Sequence, residues 1–312
     1  MSKTDSKKQA LTPAPFIVTF LAGGLSGTIG AIITCPLEVV KTRLQSSDYK
    51  QVVAQRASMM SHVRETMSLV VGVGRSEGLG ALWRGVGATM VGVIPSRALH
   101  FSTYTYAKKH FTALNGNTEN AWIHLGSAVT AGITVATITN PIWMLKTRLQ
   151  LSHGKESNWR MIKKIVGEEG LRGMYRGMTA SYLGVVEGTM QWLMYEQIKG
   201  SLLQGDDKDK KLHVGLFGAA AVSKFIAAII AYPHEVLRTR LREDKKRYVG
   251  LFNTLRFIVR EEGVRALYGG MTAHLLRVVP NSAIMFFAYE AMVHGYKRYF
   301  MEPPALLIED QE

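Results

Sequence analysis

One ten-residue phrase stands three times along this chain: Pro36-Leu37-Glu38-Val39-Val40-Lys41-Thr42-Arg43-Leu44-Gln45, then Pro141-Ile142-Trp143-Met144-Leu145-Lys146-Thr147-Arg148-Leu149-Gln150, then Pro233-His234-Glu235-Val236-Leu237-Arg238-Thr239-Arg240-Leu241-Arg242. Each copy closes a segment almost free of charge. Each is followed by a second recurring phrase: Glu77-Gly78 to Trp83-Arg84-Gly85, Glu169-Gly170 to Tyr175-Arg176-Gly177, and Glu262-Gly263 to Tyr268-Gly269-Gly270. Two motifs repeating in register mark a triplicated unit whose copies need one another to bury their apolar faces. The reading divides the chain into a tail at 1–15, repeats at 16–115, 116–205 and 206–300, and a tail at 301–312.

A mean hydropathy of +0.04 is low for a membrane protein, but a bilayer responds to where charges fall rather than to their average. Six stretches, 16–36, 86–107, 121–142, 178–198, 213–234 and 271–293, are each about the ~20 residues that cross ~30 Å of hydrocarbon. Of the 38 Lys and Arg residues only Arg97, Lys224 and Arg277 fall inside them. The net charge of +14 therefore sits mainly in loops on one membrane side, where it gives no basic stripe for nucleic acid. Cys35 is the sole cysteine, so no intramolecular disulfide is possible. The head MSKTDSKKQA reads as neither a secretory signal nor a good presequence, which leaves targeting to internal segments.

Within each repeat, small residues at close spacing (Ala22 to Gly27, Ser127 to Gly132, Ala219 to Ser223) allow helix backbones to approach. Pro36, Pro141 and Pro233 fall inside the helical pattern and each should bend or break it. Between the two phrases of a repeat, Val63, Met67 and Val70, then Trp159, Ile162 and Val166, then Leu251, Leu255 and Ile258 recur at helical spacing among charges. These predict three short helices on the membrane surface. The second span of each repeat returns the chain, so both termini share a side.

No Gly-x-x-x-x-Gly-Lys-Ser/Thr loop, His-Glu-x-x-His pair or Cys/His cluster with metal spacing is present, and Gly72-Val73-Gly74 lacks the rest of a dinucleotide fingerprint. The sequence therefore reads as a non-enzyme, without metal or catalytic residue. A membrane enzyme acting on nucleotides and a proton-leaking uncoupler using Glu187 remain the contrasting classes.

The triplicated Pro-x-acid-x-x-base-x-base phrase resembles the mitochondrial carrier family over about Phe16 to Arg298. The resemblance implies an all-α membrane protein: six transmembrane helices in a threefold pseudo-symmetric bundle with three short matrix-side surface helices, working as a monomer in the mitochondrial inner membrane by alternating access. It also implies a matrix gate in which Glu38 pairs with Lys146 and Glu235 with Lys41, braced by Gln45 and Gln150. Trp143 replaces the second acid and leaves Arg238 without its ionic partner. A cation over the indole would offset about 0.5–2 kcal/mol of that loss, and Arg242 breaks the brace pattern. A cytoplasmic gate is implied at Lys108, Glu196, Lys199 and Glu290, with Glu290–Lys108 the one pair keeping both partners. The aromatic-base-Gly phrases look like that family's sites for cardiolipin, a structural lipid rather than a cofactor.

A charge at mid-membrane is costly unless it faces water or a partner, so Arg97, Lys224 and Arg277 point to a polyanionic cargo such as a di- or triphosphate. The plainer alternative is that Lys224 or Arg97 pairs with Glu187 for structure. Glu187 itself is open among hydrogen-bonding a base or sugar, carrying a proton, and balancing charge. His100 and His234 read as cavity lining, and Asn281 either contacts a base edge or caps a broken helix. By resemblance the substrate contacts fall at Arg97 and His100, at Gly184 and Val185, and at Arg277 and Val278. The wording of the three phrases is most similar to the pyrimidine nucleotide branch, implying exchange of pyrimidine (deoxy)nucleoside di- and triphosphates. An NAD or FAD carrier is the nearest alternative.

Overall fold

A computed structural model describes residues 16–49, 59–152, 156–203, 210–244 and 247–300; both expected tails, 1–15 and 301–312, lie outside the described residues. These residues form ten α-helices: α1 (Phe16–Gln45), α2 (Met59–Ser76), α3 (Val86–Leu114), α4 (Ala121–Leu151), α5 (Asn158–Gly173), α6 (Met178–Leu203), α7 (Lys210–Ala231), α8 (Pro233–Arg242), α9 (Leu251–Glu261) and α10 (Met271–Phe300). No strand occurs among the described residues. The order long, short, long recurs three times, with the third long odd helix divided into α7 and α8.

That division is the local effect of proline. Pro36 and Pro141 sit inside unbroken helices, whereas at Pro233 the helix stops at Ala231 and restarts with proline in its first turn. A first-turn proline loses an amide that has no intrahelical acceptor anyway, so the third repeat takes the break that the other two avoid.

Two compact units are distinguished: residues 1–34 with 276–312, and residues 35–275. In the first, Thr34 Oγ1 bonds Gly30 O at 2.8 Å and Asn281 Oδ1 at 3.3 Å. Gly30 allows this close approach: a Cβ there would stand 3.0 Å from Asn281 Oδ1. Leu21, Leu25, Ile29 and Ile33 are all exposed, a four-residue spacing that lines one face of α1 with apolar side chains. By length and composition alone, α1 from Leu21 and α4 are apolar enough to cross a bilayer.

The second unit carries the three surface helices. The second expected apolar face is rotated: Met161 and Ile165 are buried, Ile162 packs beside them, and Trp159 and Val166 face outward. Lys163 lies 5.6 Å from the Trp159 ring. In α9 the expected face holds, with Leu251 and Leu255 packed on a cluster of Ile258, Tyr248, Leu237, Leu241 and Ala180. The glycines of the second phrase are turn residues: Gly85, Gly177 and Gly270, just ahead of α3, α6 and α10, have φ of 84°, 74° and 76°, a region that side-chain-bearing residues avoid.

Candidate functional site

The C-terminal ends of α1, α4 and α8 converge in a ring inside the second unit. Lys146 Nζ meets Glu38 Oε1 at 2.7 Å, and Lys41 pairs with Glu235. Lys41 also lies 2.8 Å from His274 Nδ1 of α10, a neighbour that nothing in the repeated phrases signals. One turn further, each helix touches the next through the threonine of one phrase and the last residue of another. Thr42 donates to Gln150 Oε1 at 2.9 Å, Thr239 to Gln45 Oε1 at 2.8 Å, and Arg242 Nη1 to Thr147 Oγ1 at 3.2 Å. Gln45 Nε2 also reaches Tyr232 Oη at 3.0 Å and Glu235 Oε2 at 3.4 Å.

Two expectations need correction here. Arg242 does not leave the third brace empty: its guanidinium spans the gap that a shorter amide spans elsewhere, reaching Trp143 O at 3.1 Å, Asn140 Oδ1 at 2.8 Å and Ser181 Oγ at 3.3 Å. The cation over Trp143 is Lys146, three residues on in the same helix and 5.2 Å from the ring centroid, not Arg238. The indole Nε1 donates to Thr139 Oγ1 at 2.9 Å, which holds the ring along its own helix. Arg238 is left without an ion pair among the described residues, its Nε buried and without a hydrogen-bond partner.

The glycines close the same ring from outside. A Cβ on Gly85 would lie 3.2 Å from Lys146 O, one on Gly177 3.2 Å from Arg238 O, and one on Gly270 3.0 Å from Lys41 O. α3, α6 and α10 thus each begin against the carbonyl of a ring base from another repeat, in cyclic order.

Ion pairs between the last arginine of each first phrase's Thr-Arg step and the glutamate that opens the second phrase surround the ring. Arg43 holds Glu77 with two bonds, at 2.5 and 2.9 Å, and Arg84 pairs with the same carboxylate while donating to Ser152 O at 2.6 Å. Arg148 reaches Glu169 at 2.5 Å and Arg176 reaches it at 2.8 Å. Arg240 holds Glu262 at 2.7 and 3.3 Å and donates to Tyr248 Oη at 3.0 Å. Arg84 and Arg176, the bases of the expected lipid phrases, are therefore bound to protein carboxylates. Beyond α8, Asp244 takes Arg148 at 3.1 Å and Lys164 at 3.3 Å. Partial burial pushes its carboxyl up, but those two cations outweigh it and hold the group below its ordinary value.

Towards the other end of α3, α4 and α6 opens a cavity of 1160 Å³ whose lining includes His100, His124, Val185, Thr189, Trp192 and Glu196. His100 and Val185 thus line it together. Val185 is seated on Gly132, where a Cβ would meet its side chain at 2.8 Å. Gly184 does not offer the bare surface expected for a base, because His234 Nε2 would stand 3.1 Å from a Cβ there. Glu187 pairs with Lys224 at 3.4 Å and lies 4.0 Å from His234 Nε2. Arg97 is exposed and has no ion pair among the described residues. Arg277 and Val278 are half-buried on α10 in the first unit, with Asn281 bonded to Thr34.

At the cytoplasmic positions, Lys108 holds Glu119 at 2.9 Å, a loop carboxylate that the span-based reading passed over. That hydrogen bond keeps the Glu119 carboxyl below its usual value. His124 stands between, 2.8 Å from Tyr104 Oη and 3.6 Å from Glu119. Lys199 and Glu196 face each other within α6 at 3.4 Å. Glu290, on α10 in the first unit, is exposed and lines a cavity of 400 Å³ with Phe287, Tyr289 and His294.

The sequence matches the family described as mitochondrial carrier protein over residues 12–115, 117–206 and 210–300. It is 40% identical to the mitochondrial pyrimidine nucleotide transporter RIM2 of Saccharomyces cerevisiae, an alignment that covers 88% of this chain and 85% of that one. It is 43% identical to solute carrier family 25 member 36-A of Danio rerio, over 89% and 97% of the two chains. Identity to solute carrier family 25 member 33 of Homo sapiens is 41%, over 89% and 94%.

Proposed function

This chain belongs to the mitochondrial carrier family, and from that premise we propose that it exchanges pyrimidine (deoxy)nucleoside di- and triphosphates across the mitochondrial inner membrane. The observation that carries the mechanism is one-sided access. The ends of α1, α4 and α8 are tied by ion pairs and hydrogen bonds, while α3, α4 and α6 leave 1160 Å³ open towards their other ends. That volume exceeds the roughly 300–1,000 Å³ of pockets that hold drug-sized ligands. It accommodates a nucleotide with part of its water.

Arg97 is a base we assign to phosphate binding, because it stands in a span without a counter-ion among the described residues; Arg277, on α10 in the other unit, is a separate candidate for the same role. Lys224 is partly neutralised by Glu187, and with His234 beside them the three form the group we assign to any proton that accompanies the nucleotide. Transport follows if the nucleotide binds the occluded state better than either open state, its binding energy offsetting the rupture of one gate while the other forms. The empty carrier lacks that compensation, so exchange is favoured over net flux. Cardiolipin remains a proposal for the backbone amides at the starts of α3, α6 and α10, where helix dipoles favour phosphate. The identity to a named pyrimidine nucleotide transporter supports the cargo.

Competition tests it. Uptake of labelled UTP by the reconstituted protein should be suppressed by excess CTP or TTP and little by NAD or FAD. Suppression by NAD or FAD alone would replace the nucleotide exchanger with a dinucleotide carrier of the same family.

A further inference from the structure

The ring formed by α1, α4 and α8 has an excess of positive charge that its own acids do not cancel. The three phrases bring four bases to it, Lys41, Lys146, Arg238 and Arg242, and two acids, Glu38 and Glu235, which pair with Lys146 and Lys41. The neighbouring Arg43, Arg148 and Arg240 have carboxylates of their own in Glu77, Glu169 and Glu262. Arg238 has no ion pair among the described residues and a buried, unpartnered Nε. Arg242 is 3% exposed. Its Nη atoms bond only neutral groups, Trp143 O, Thr147 Oγ1, Asn140 Oδ1 and Ser181 Oγ, and its Nε has no partner. Arg242 thus lies inside the protein without a counter-ion, while Arg238 feels the carboxylates of Glu235 and Glu38 but bridges neither, since Lys41 and Lys146 hold them. The excess of positive charge is destabilising unless an anion offsets it.

The acid that would have answered them is absent by substitution rather than by geometry. Trp143 occupies its place, and the ring cannot swing away because Thr139 holds its Nε1 at 2.9 Å. A Cβ on Gly92 would meet its outer atoms at 3.4 Å. The third pair thus has its base, Arg238, and a second base one turn later, Arg242, with Trp143 where the other two phrases have an acid.

We propose that this third ring position is a phosphate subsite, in which Arg238 receives the terminal phosphate of the cargo while Arg242, its Nη atoms held in the brace, adds its charge from one turn further on. The proposal rests on the cargo being a nucleoside di- or triphosphate, and goes beyond it by placing the end of the tail at the matrix gate. A terminal phosphate carries close to two negative charges at neutral pH, which matches the excess of the four ring bases Lys41, Lys146, Arg238 and Arg242 over the two ring acids Glu38 and Glu235. Arginine's planar fork is suited to phosphate oxygens. The cargo supplies the charge that Trp143 withholds, so the gate senses the length of the phosphate tail: a dianion at Arg238 also competes with Glu38 and Glu235 for Lys146 and Lys41, loosening the two pairs that hold the ring shut.

The experiment uses the purified full chain and its Trp143→Glu, Trp143→Gln and Arg238→Gln variants, measured by thermal unfolding in detergent and by exchange kinetics with UTP, UDP and UMP. In Trp143→Glu a carboxylate answers Arg238 from within. That variant should be more stable than the native chain without ligand, and its apparent affinity for UTP should fall about tenfold while that for UMP is unchanged. Trp143→Gln, which removes the indole without adding charge, should retain the native preference for UTP over UMP. If Trp143→Glu is not recovered folded, Arg238→Gln decides in its place and should lose the same preference. Native exchange with an undiminished UTP preference in Trp143→Glu or Arg238→Gln overturns the subsite and leaves the cargo untouched. Failure of the native chain to exchange any pyrimidine nucleotide overturns the cargo as well.

Discussion

Arg148 shows how much one side chain holds in this molecule. It is 5% exposed and reaches Glu169 from α5, Asp244 beyond α8, and the carbonyl of Arg242. Removing it leaves Glu169 with Arg176 alone and strands a backbone acceptor, a loss of the order of 3–5 kcal/mol by the measure of broken buried pairs. Arg148→Ala should therefore unfold well below the native chain in a thermal melt, and an unchanged melting temperature would contradict the role given to it. Arg277→Ala belongs to the other kind of residue: it should insert and melt close to the native chain while exchange is abolished, and near-normal exchange would remove Arg277 from the site. The two arginines look alike in the sequence. Glu38, Lys146, Lys41 and Glu235 were legible because the resemblance carries a pairing rule. Glu77, Glu169, Glu119 and His274 were not, since their partners come from other elements and leave no periodic trace.

At the scale of elements, the repeats differ where proline and glycine decide local geometry. The same proline is accommodated within α1 and α4 but divides α7 from α8, and the sequence shows the proline without showing which outcome follows. Helix existence was readable from hydrophobic spacing. The facing of α5 was not, because Trp159 and Met161 are both apolar and only packing decides which is buried. Gly177 combines a φ of 74° with backbone and side chain of α8 at 3.1–3.2 Å from any added Cβ. Gly177→Ala should cost on the order of 1–3 kcal/mol, read as a lower melting temperature. A variant as stable as the native chain would show that the start of α6 is not held against α8.

Asp244 ties the end of α8 to α4 and α5, and its lowered value gives the tie a pH dependence. Its folded value lies below the unfolded ~3.9, so the stabilisation is complete above that unfolded value and is lost as pH falls through the folded one. Asp244→Asn should melt below the native chain at pH 7, and the difference should shrink as pH drops below about 4. A difference that persisted unchanged in acid would have another cause. Because the side chain is 48% exposed, solvent screening keeps the effect small.

For the whole molecule, triplication determines the outcome more than composition does. A mean hydropathy near zero and a net charge of +14 describe equally well a soluble basic protein; three copies of one phrase at the ends of uncharged segments do not. The copies are unequal where the cargo matters. The first and third keep their acids and the second has Trp143, while the first and second keep glutamine braces and the third has Arg242. These departures leave a ring held by two ion pairs, strong enough to close one side and weak enough to be opened by bound cargo in each cycle. The claim that cargo binding drives the opening is tested most directly by the uptake of labelled UTP into proteoliposomes loaded with unlabelled UTP or with none. Rapid uptake only into loaded vesicles is the result predicted here; equal uptake into empty vesicles would contradict obligatory exchange and the gate mechanism built on it.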